Sequence, residues 1–245
     1  MKICHMTSVH PQEDIRIFHK ECISLANAGN EVYLVSQGNR YNKAGVHLYG
    51  IPNDKKGRLN RFFLFSKKIY ETALSIDADV YHLHDPELLP FGMKLKKHGK
   101  KVIFDSHEDV PQQILDKQWI PIFLRKIISK IYKSYESYVV NRIDAVITAV
   151  PYVAEKFDKR AKIVININNY PKLDDIQFQE KSFFERQAIV CYAGGVNELR
   201  GEKIMINVMK YVNGILLIAG DHKKIEIDGK IKYLGQINRE EINNL

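Results

Sequence analysis

Apolar and polar positions alternate in two rhythms along this chain. Residues 2–6 form a short apolar run that reads as a buried strand. After a polar loop, Ile15, Phe18, Cys22, Leu25 and Ala26 recur at helical spacing over 14–28, and Gly29 supplies a stop. Further strands are predicted at 31–36, 46–49, 80–84, 101–105, 145–149 and 162–167. Helices are predicted at 59–76, 87–98 (ended by Gly99), 111–142 with a break near Pro121, and from Pro151 onward. Strands separated by helices argue a parallel sheet covered on both faces, a doubly wound α/β domain.

The rhythm breaks near Asn168 and charged or polar residues dominate through Gln187, so a linker is expected over 169–187. It restarts with strands at 188–193, 215–219 and 232–234, a helix at 202–212 and another opening at Asn238. The expected plan is a Rossmann-type domain over 1–168 and a partial second one over 188–245, which reads as too short to cover both faces of its own sheet.

Composition narrows the class. Of 245 residues, 45% are hydrophobic, which excludes a disordered chain. No apolar run approaches the roughly 18 residues of a membrane span, and the first residues lack the apolar core of an export signal. Cys4, Cys22 and Cys191 are expected to be buried free thiols in a reducing cytoplasm.

Lys and Arg exceed Asp and Glu, 37 to 29, a net charge of +8. The excess is clustered. Lys55, Lys56, Arg58, Arg61, Lys67 and Lys68 have no acid among them, and Arg125, Lys126, Lys130 and Lys133 are interleaved with Trp119, Ile122, Phe123, Ile127, Ile131 and Tyr135. Nucleic acid, an anionic membrane and phosphorylated small molecules are all compatible partners, as is a merely solvated helix face.

Ligands of open α/β sheets sit at the carboxyl ends of the strands, so polar residues just after predicted strands carry the interest. After the first strand come Thr7, Ser8, His10, Asp14 and Arg16; after the strand at 80–84 come Asp85 and Glu87. His82 and His84 share one strand face, but no third metal ligand stands at a recognisable spacing. His82 reads as an inward, hydrogen-bonded residue or one near the strand end, with Asp85 capping the next helix, and metal ligation is the poorer reading. Asp105-Ser-His-Glu-Asp109 puts an imidazole among three carboxylates. His107 there could orient a hydroxyl, act as general acid or base, or cap a helix.

Tyr192-Ala-Gly-Gly-Val-Asn-Glu-Leu-Arg-Gly201 ends a strand in two glycines and opens a helix after Arg200 and a third glycine. Glycines admit phosphate oxygens close to the backbone, and Arg200 supplies a cation. Phosphate binding and an ordinary strand-to-helix turn both fit. Glu13 and Glu21, eight apart, read as a chance spacing without catalytic weight.

These pieces, with Tyr81-His-Leu-His-Asp-Pro-Glu87, Asn169-Tyr-Pro171, Ile218-Ala-Gly-Asp221 and Tyr233-Leu-Gly235, run in the order of the retaining, nucleotide-sugar-dependent glycosyltransferases of family 4. The chain resembles that family over nearly its whole length. The resemblance implies a GT-B fold with an acceptor-side first domain and a donor-binding second domain. Such an enzyme moves a sugar from a nucleotide-diphosphate donor to a glycan or lipid-linked acceptor, typically in cell-surface polysaccharide synthesis.

By the same resemblance, His107 contacts the donor sugar. Gly194, Gly195, Arg200 and Gly201 hold the diphosphate, and His10, Asp14, Arg16, His84, Asp85 and Glu108 line the acceptor side or cleft. No metal or other cofactor and no nucleic-acid partner are implied. Where many members carry a second Arg, this chain has Gly195. The family's E-x7-E element would fall beyond Leu245, so impaired activity, or a non-catalytic binding or partner subunit, is the alternative expectation. A cytoplasmic location follows, with segment 119–135 as a candidate contact to the inner membrane face.

Overall fold

The computed structural model describes residues 1–52, 61–173, 182, 187–221 and 229–242. The chain forms two compact units, Met1–Asn169 and Tyr170–Leu245. Most of the linker predicted over 169–187 lies outside the described residues, as do Lys55, Lys56 and Arg58.

The first unit is built on an eight-stranded sheet. In chain order its strands are β1 (Lys2–Met6), β2 (Glu31–Gln37), β3 (Arg40–Lys43), β4 (Val46–Ile51), β5 (Val80–Leu83), β6 (Lys101–Ser106), β7 (Ala145–Thr148) and β8 (Val164–Asn166). The spatial order is β3-β4-β2-β1-β5-β6-β7-β8. All neighbours pair parallel except β3, which runs antiparallel to β4 at the edge. The order turns outward in both directions from β1, the switch point where α/β sheets bind ligands.

Helices cover both faces. On one lie α1 (Ile23–Asn27) and the wide helical segment before it, Ile15–Cys22. On the other, α2 (Ser66–Ile76), α3 (Leu89–Lys97), α5 (Ile122–Val140) and α6 (Pro151–Phe157) contribute residues such as Ile69, Leu95, Val139 and Phe157 to the larger core. Helix α4 (Val110–Asp116) leads into α5, and Pro121 stands at the break between them as expected.

Three features depart from the sequence pattern. Strand β3 was not predicted, the helix expected over 59–76 is π-helical over Arg61–Phe65, and the helix expected over 14–28 is π-helical over Ile15–Cys22. Its wider turn changes which residues face inward: Ile17, Phe18 and Cys22 are buried, whereas Ile15 is exposed.

The second unit holds a three-stranded parallel sheet of β9 (Ile189–Ala193), β10 (Ile215–Ala219) and β11 (Ile231–Gly235), with β10 central. Helices α7 (Glu202–Val208) and α8 (Arg239–Ile242) accompany it. Its core is Val196, Met209, Leu216, Ile218 and Ile231. Cys4 and Cys22 are buried as expected, but Cys191 is exposed, because its side chain is on the face of the edge strand β9 away from that core.

No helix among the described residues is long and apolar enough to cross a membrane.

Candidate functional site

The carboxyl ends of β1, β5 and β6 converge on one cavity of about 760 Å³ in the first unit. Its polar end is lined by His10, His84, Asp85, Asp105, His107 and Glu108, and its apolar wall by residues including Phe104, Ile114, Trp119, Ile120 and Tyr132. Of the acceptor-side residues expected from sequence, Asp14 and Arg16 do not line the cavity; they act from behind it.

Asp85 anchors the loop after β1. Its Oδ2 accepts hydrogen bonds from Thr7 Oγ1 at 2.8 Å and from the backbone N–H of Ser8 at 2.6 Å and Val9 at 3.3 Å. The expected helix cap is therefore not made: no side-chain capping bond joins Asp85 to the following turn, because the loop's donors occupy its carboxylate. Asp85 Oδ1 stands 3.5 Å from His10 Nε2, and Asp14 Oδ2 stands 3.5 Å from His10 Nδ1. The hydrogen bond to Asp14, joined by the charges of Asp85 and Glu108, raises the His10 pKa despite partial burial. His10 in turn meets His107, Nε2 to Nε2, at 3.3 Å, so the two imidazoles face each other at the polar end.

His107 leaves the end of β6, two residues after the fully buried Asp105. Its Nδ1 is 3.6 Å from Asp105 Oδ1. Burial works against a charge on Asp105, but the surrounding imidazoles of His107, His84 and His82 hold its carboxyl well below the usual range. Arg16 clamps it with two hydrogen bonds, Nε to Oδ2 at 3.0 Å and Nη2 to Oδ1 at 3.1 Å. Asp105 thus lies behind His107 at ion-pair distance, with no hydrogen bond to its Nδ1. Asp109 is the side chain here that caps a helix, accepting from Gln112 N at 3.2 Å.

Behind this arrangement lies a second cluster that the sequence reading missed. His5 on β1 stands opposite His82 on β5, and His84 follows on the same face. The π-helical segment brings Glu21 against all three: its Oε2 is 3.8 Å from His5 Nδ1, 4.0 Å from His82 Nδ1 and 3.7 Å from His84 Nε2. The sequence offered no third ligand beside His82 and His84; the fold supplies a third and a fourth from distant elements. Glu13, eight residues earlier, does not join Glu21 and instead binds Tyr41 and Lys43 at the surface. Burial pushes the Glu21 carboxyl up to about 9, helped by the neighbouring Asp105 charge, and pushes His5, His82 and His84 down, His82 to about 3. The sequence signalled only the His82–His84 pair of this cluster; His5 joins them through the register of β1 on β5.

The second unit presents its own candidate. After β9, Gly194 takes φ 154°, Asn197 caps a short helical turn over Glu198–Arg200, and Gly201 at φ 80° opens α7. The exposed Arg200 side chain folds back over the two glycines. A Cβ built on Gly194 or Gly195 would lie 3.8 or 3.5 Å from its Nη1. Tyr192 Oη donates to the Gly195 carbonyl at 3.0 Å and holds the turn from beneath.

Segment 119–135 separates into two parts. Arg125 is an internal clamp, donating to the carbonyls of Ile120 at 2.8 Å and Leu115 at 3.2 Å across the α4–α5 corner. Lys126, Lys130 and Lys133 are exposed beside Ile122 and Phe123, which are 78% and 75% exposed.

Comparison with known proteins supplies the framework. Sucrose-phosphate synthase from Thermosynechococcus elongatus superposes with a TM-score of 0.73 at 13% identity, over 99% of this chain and 72% of that one. A glycosyltransferase from Rickettsia africae gives 0.66 at 13%, over 99% and 70%. The catalytic domain of starch synthase IV from Arabidopsis thaliana, bound to ADP and acarbose, gives 0.60 at 10%, over 97% and 74%. No curated protein matches the sequence. The fold is of the GT-B type. The sequence model of Glycosyltransferase Family 4 matches residues 17–165, more than half of the chain and most of the unit that holds the cavity, and the protein belongs to that family.

Proposed function

We propose that this glycosyltransferase takes a sugar from a nucleotide-diphosphate donor, with retention at the anomeric carbon, and delivers it to a glycan or lipid-linked acceptor of cell-surface polysaccharide synthesis. The observation that carries the donor assignment is Arg200, whose guanidinium lies over Gly194 and Gly195 at the carboxyl end of β9. Two glycines leave the backbone open to phosphate oxygens, and the guanidinium offers a fork of donors matched to them. A fixed cation beside a leaving diphosphate stabilises charge as it develops, so donor cleavage on this reading needs no metal at the diphosphate. The ADP held by the starch synthase neighbour supports a nucleoside diphosphate as the ligand class.

In the first unit, His107 contacts the donor sugar and His10 shares the polar end of the cavity with it. The apolar wall formed by Ile114, Trp119, Ile120 and Tyr132 suits an acceptor with an apolar portion, such as a lipid-linked sugar. The exposed Ile122 and Phe123 with Lys126, Lys130 and Lys133 fit an anionic inner membrane face, where such acceptors are presented. Calorimetric titration with nucleoside diphosphates, repeated on Arg200→Ala, tests the donor assignment.

A further inference from the structure

The cluster beneath the cavity has the composition and spacing of a ligand shell. His5, His82, His84 and Glu21 each bring one donor atom, and the four atoms lie within 4.8 Å of one another. Adjacent ligands at about 2.1 Å from a zinc ion are separated by roughly 3.0–3.4 Å. The separations here, 2.9 Å for His5 Nδ1 to His84 Nε2 and 3.7, 3.8 and 4.0 Å from Glu21 Oε2 to the three imidazoles, bracket that range. The widest separation allowed by the cluster, 4.8 Å, exceeds it, so the four ligands draw together around an ion. Glu21 Oε2 is buried without a hydrogen-bond partner, although it is surrounded by three imidazoles. An oxygen so placed calls for an occupant.

We propose that His5, His82, His84 and Glu21 bind one divalent transition metal ion of the zinc class, as a structural site within the first unit. Three imidazoles and a carboxylate match the N/O preferences of zinc, and four protein ligands close its usual tetrahedral shell, leaving no position for substrate. Of the outer partners such sites use, the ones in place are on Glu21 and, at longer range, on His84, while the outer nitrogens of His5 and His82 make no hydrogen bond. Arg16 Nε holds Glu21 Oε1 at 3.1 Å and turns Oε2 toward the imidazoles, and Asp105 Oδ2 faces His84 Nδ1 at 3.6 Å. Glu21, with 17% of its side chain exposed against 6% or less for the histidines, marks the path by which the ion enters. The ion would tie the π-helical segment to β1 and β5, and so fix the base on which Arg16, Asp105 and His107 stand. The inference stands independently of the donor assignment.

The test is cobalt titration of the chelator-treated 245-residue chain, read by visible absorption, with zinc content measured in parallel. One equivalent of Co2+ should give the intense bands of a tetrahedral ion, displaced by Zn2+. His82→Gln should weaken binding at least tenfold, and Glu21→Gln should change the band pattern by replacing a charged ligand with a neutral amide. His107→Ala, at the neighbouring imidazole pair, should leave the titration unaltered. A folded wild-type chain that takes up no cobalt or zinc overturns the proposal whatever the variants do, and marks the cluster as a proton-sharing network. Binding lost in His107→Ala and kept in His82→Gln also overturns it, by moving the ion to the cavity.

Discussion

Arg16 and Glu21 are five residues apart in sequence, and their side chains meet at 3.1 Å. In an α-helix five residues span about 140° beyond a full turn, which points such a pair in different directions. The π-helical segment Ile15–Cys22 bonds five residues apart, as in His19 N to Asp14 O at 3.2 Å, and brings positions five apart onto one face. That local widening joins Arg16 to both acids beneath the cavity, Glu21 through Oε1 and Asp105 through a two-pronged clamp.

The clamp gives a first prediction. Asp105 is fully buried and Arg16 nearly so, so Asp105→Asn leaves the guanidinium with Glu21 alone, whose raised pKa favours its neutral form. Removing one partner of a buried pair costs about 3–5 kcal/mol. Urea unfolding should show a loss of that order at unchanged denaturant slope; a loss below about 1 kcal/mol would show that the pair does not hold the fold.

Asp14 should couple stability to pH. Burial opposes its charge, but the hydrogen bond with His10 and those from the backbone N–H groups of Ile17 and Arg16 outweigh it and lower its pKa to about 2. This stabilisation is present above the unfolded carboxylate value of about 3.9 and is lost as pH falls toward 2. His10, faced by Asp14, Asp85, Glu108 and His107, is raised, so its part is complete below about 6.5 and is lost as pH climbs through the raised value. Asp14→Ala should cost about 1 kcal/mol or more as a lost cap. Its deficit against wild type should be widest between about pH 4 and 6.5 and narrow on both sides. A deficit independent of pH contradicts the pairing.

Two glycines of the second unit should behave differently. A Cβ on Gly220 would stand 1.8 Å from the Gly194 carbonyl oxygen, and φ there is 147°. Gly195 would place its Cβ no nearer than 3.5 Å to Arg200. Gly220→Ala should therefore destabilise the second unit by about 2–4 kcal/mol, and Gly195→Ala by less than about 0.5 kcal/mol. Thermal melts of both variants would check this, and equal melting points would contradict it.

The membrane reading predicts sedimentation with liposomes containing anionic lipid at low salt. Each near-surface lysine contributes about 1 kcal/mol, so replacing Lys126, Lys130 and Lys133 together by Gln should weaken binding about 100-fold. A wild-type chain that stays in the supernatant removes this part of the proposal.

Much of the fold was readable because buried strands and amphipathic helices carry different hydrophobic periods. Strand β3 was not, since Arg40-Tyr-Asn-Lys43 is short and polar and lies at an edge. Its one signal was the turn at Ala44 and Gly45, which take φ of 50° and 76°. His10, Asp85, His107 and Glu108 at the cavity's polar end were readable because they follow strands. From sequence Glu21 reads only as a chance spacing and Asp105 only as one of three carboxylates near His107, and His5 carries no role, because each lies inside an element and reaches its partners only through the sheet register and the π-helical turn.

The most direct test of the account is calorimetric titration of the chain with UDP, ADP and GDP in the presence of a chelator, beside Arg200→Ala and Arg200→Lys. The account predicts saturable binding of at least one nucleoside diphosphate without added metal. It predicts an affinity at least tenfold lower in Arg200→Ala and only partly restored by Lys, whose point charge lacks the guanidinium fork. Diphosphate binding that is unchanged in Arg200→Ala, or that appears only when a divalent metal is supplied, would contradict it.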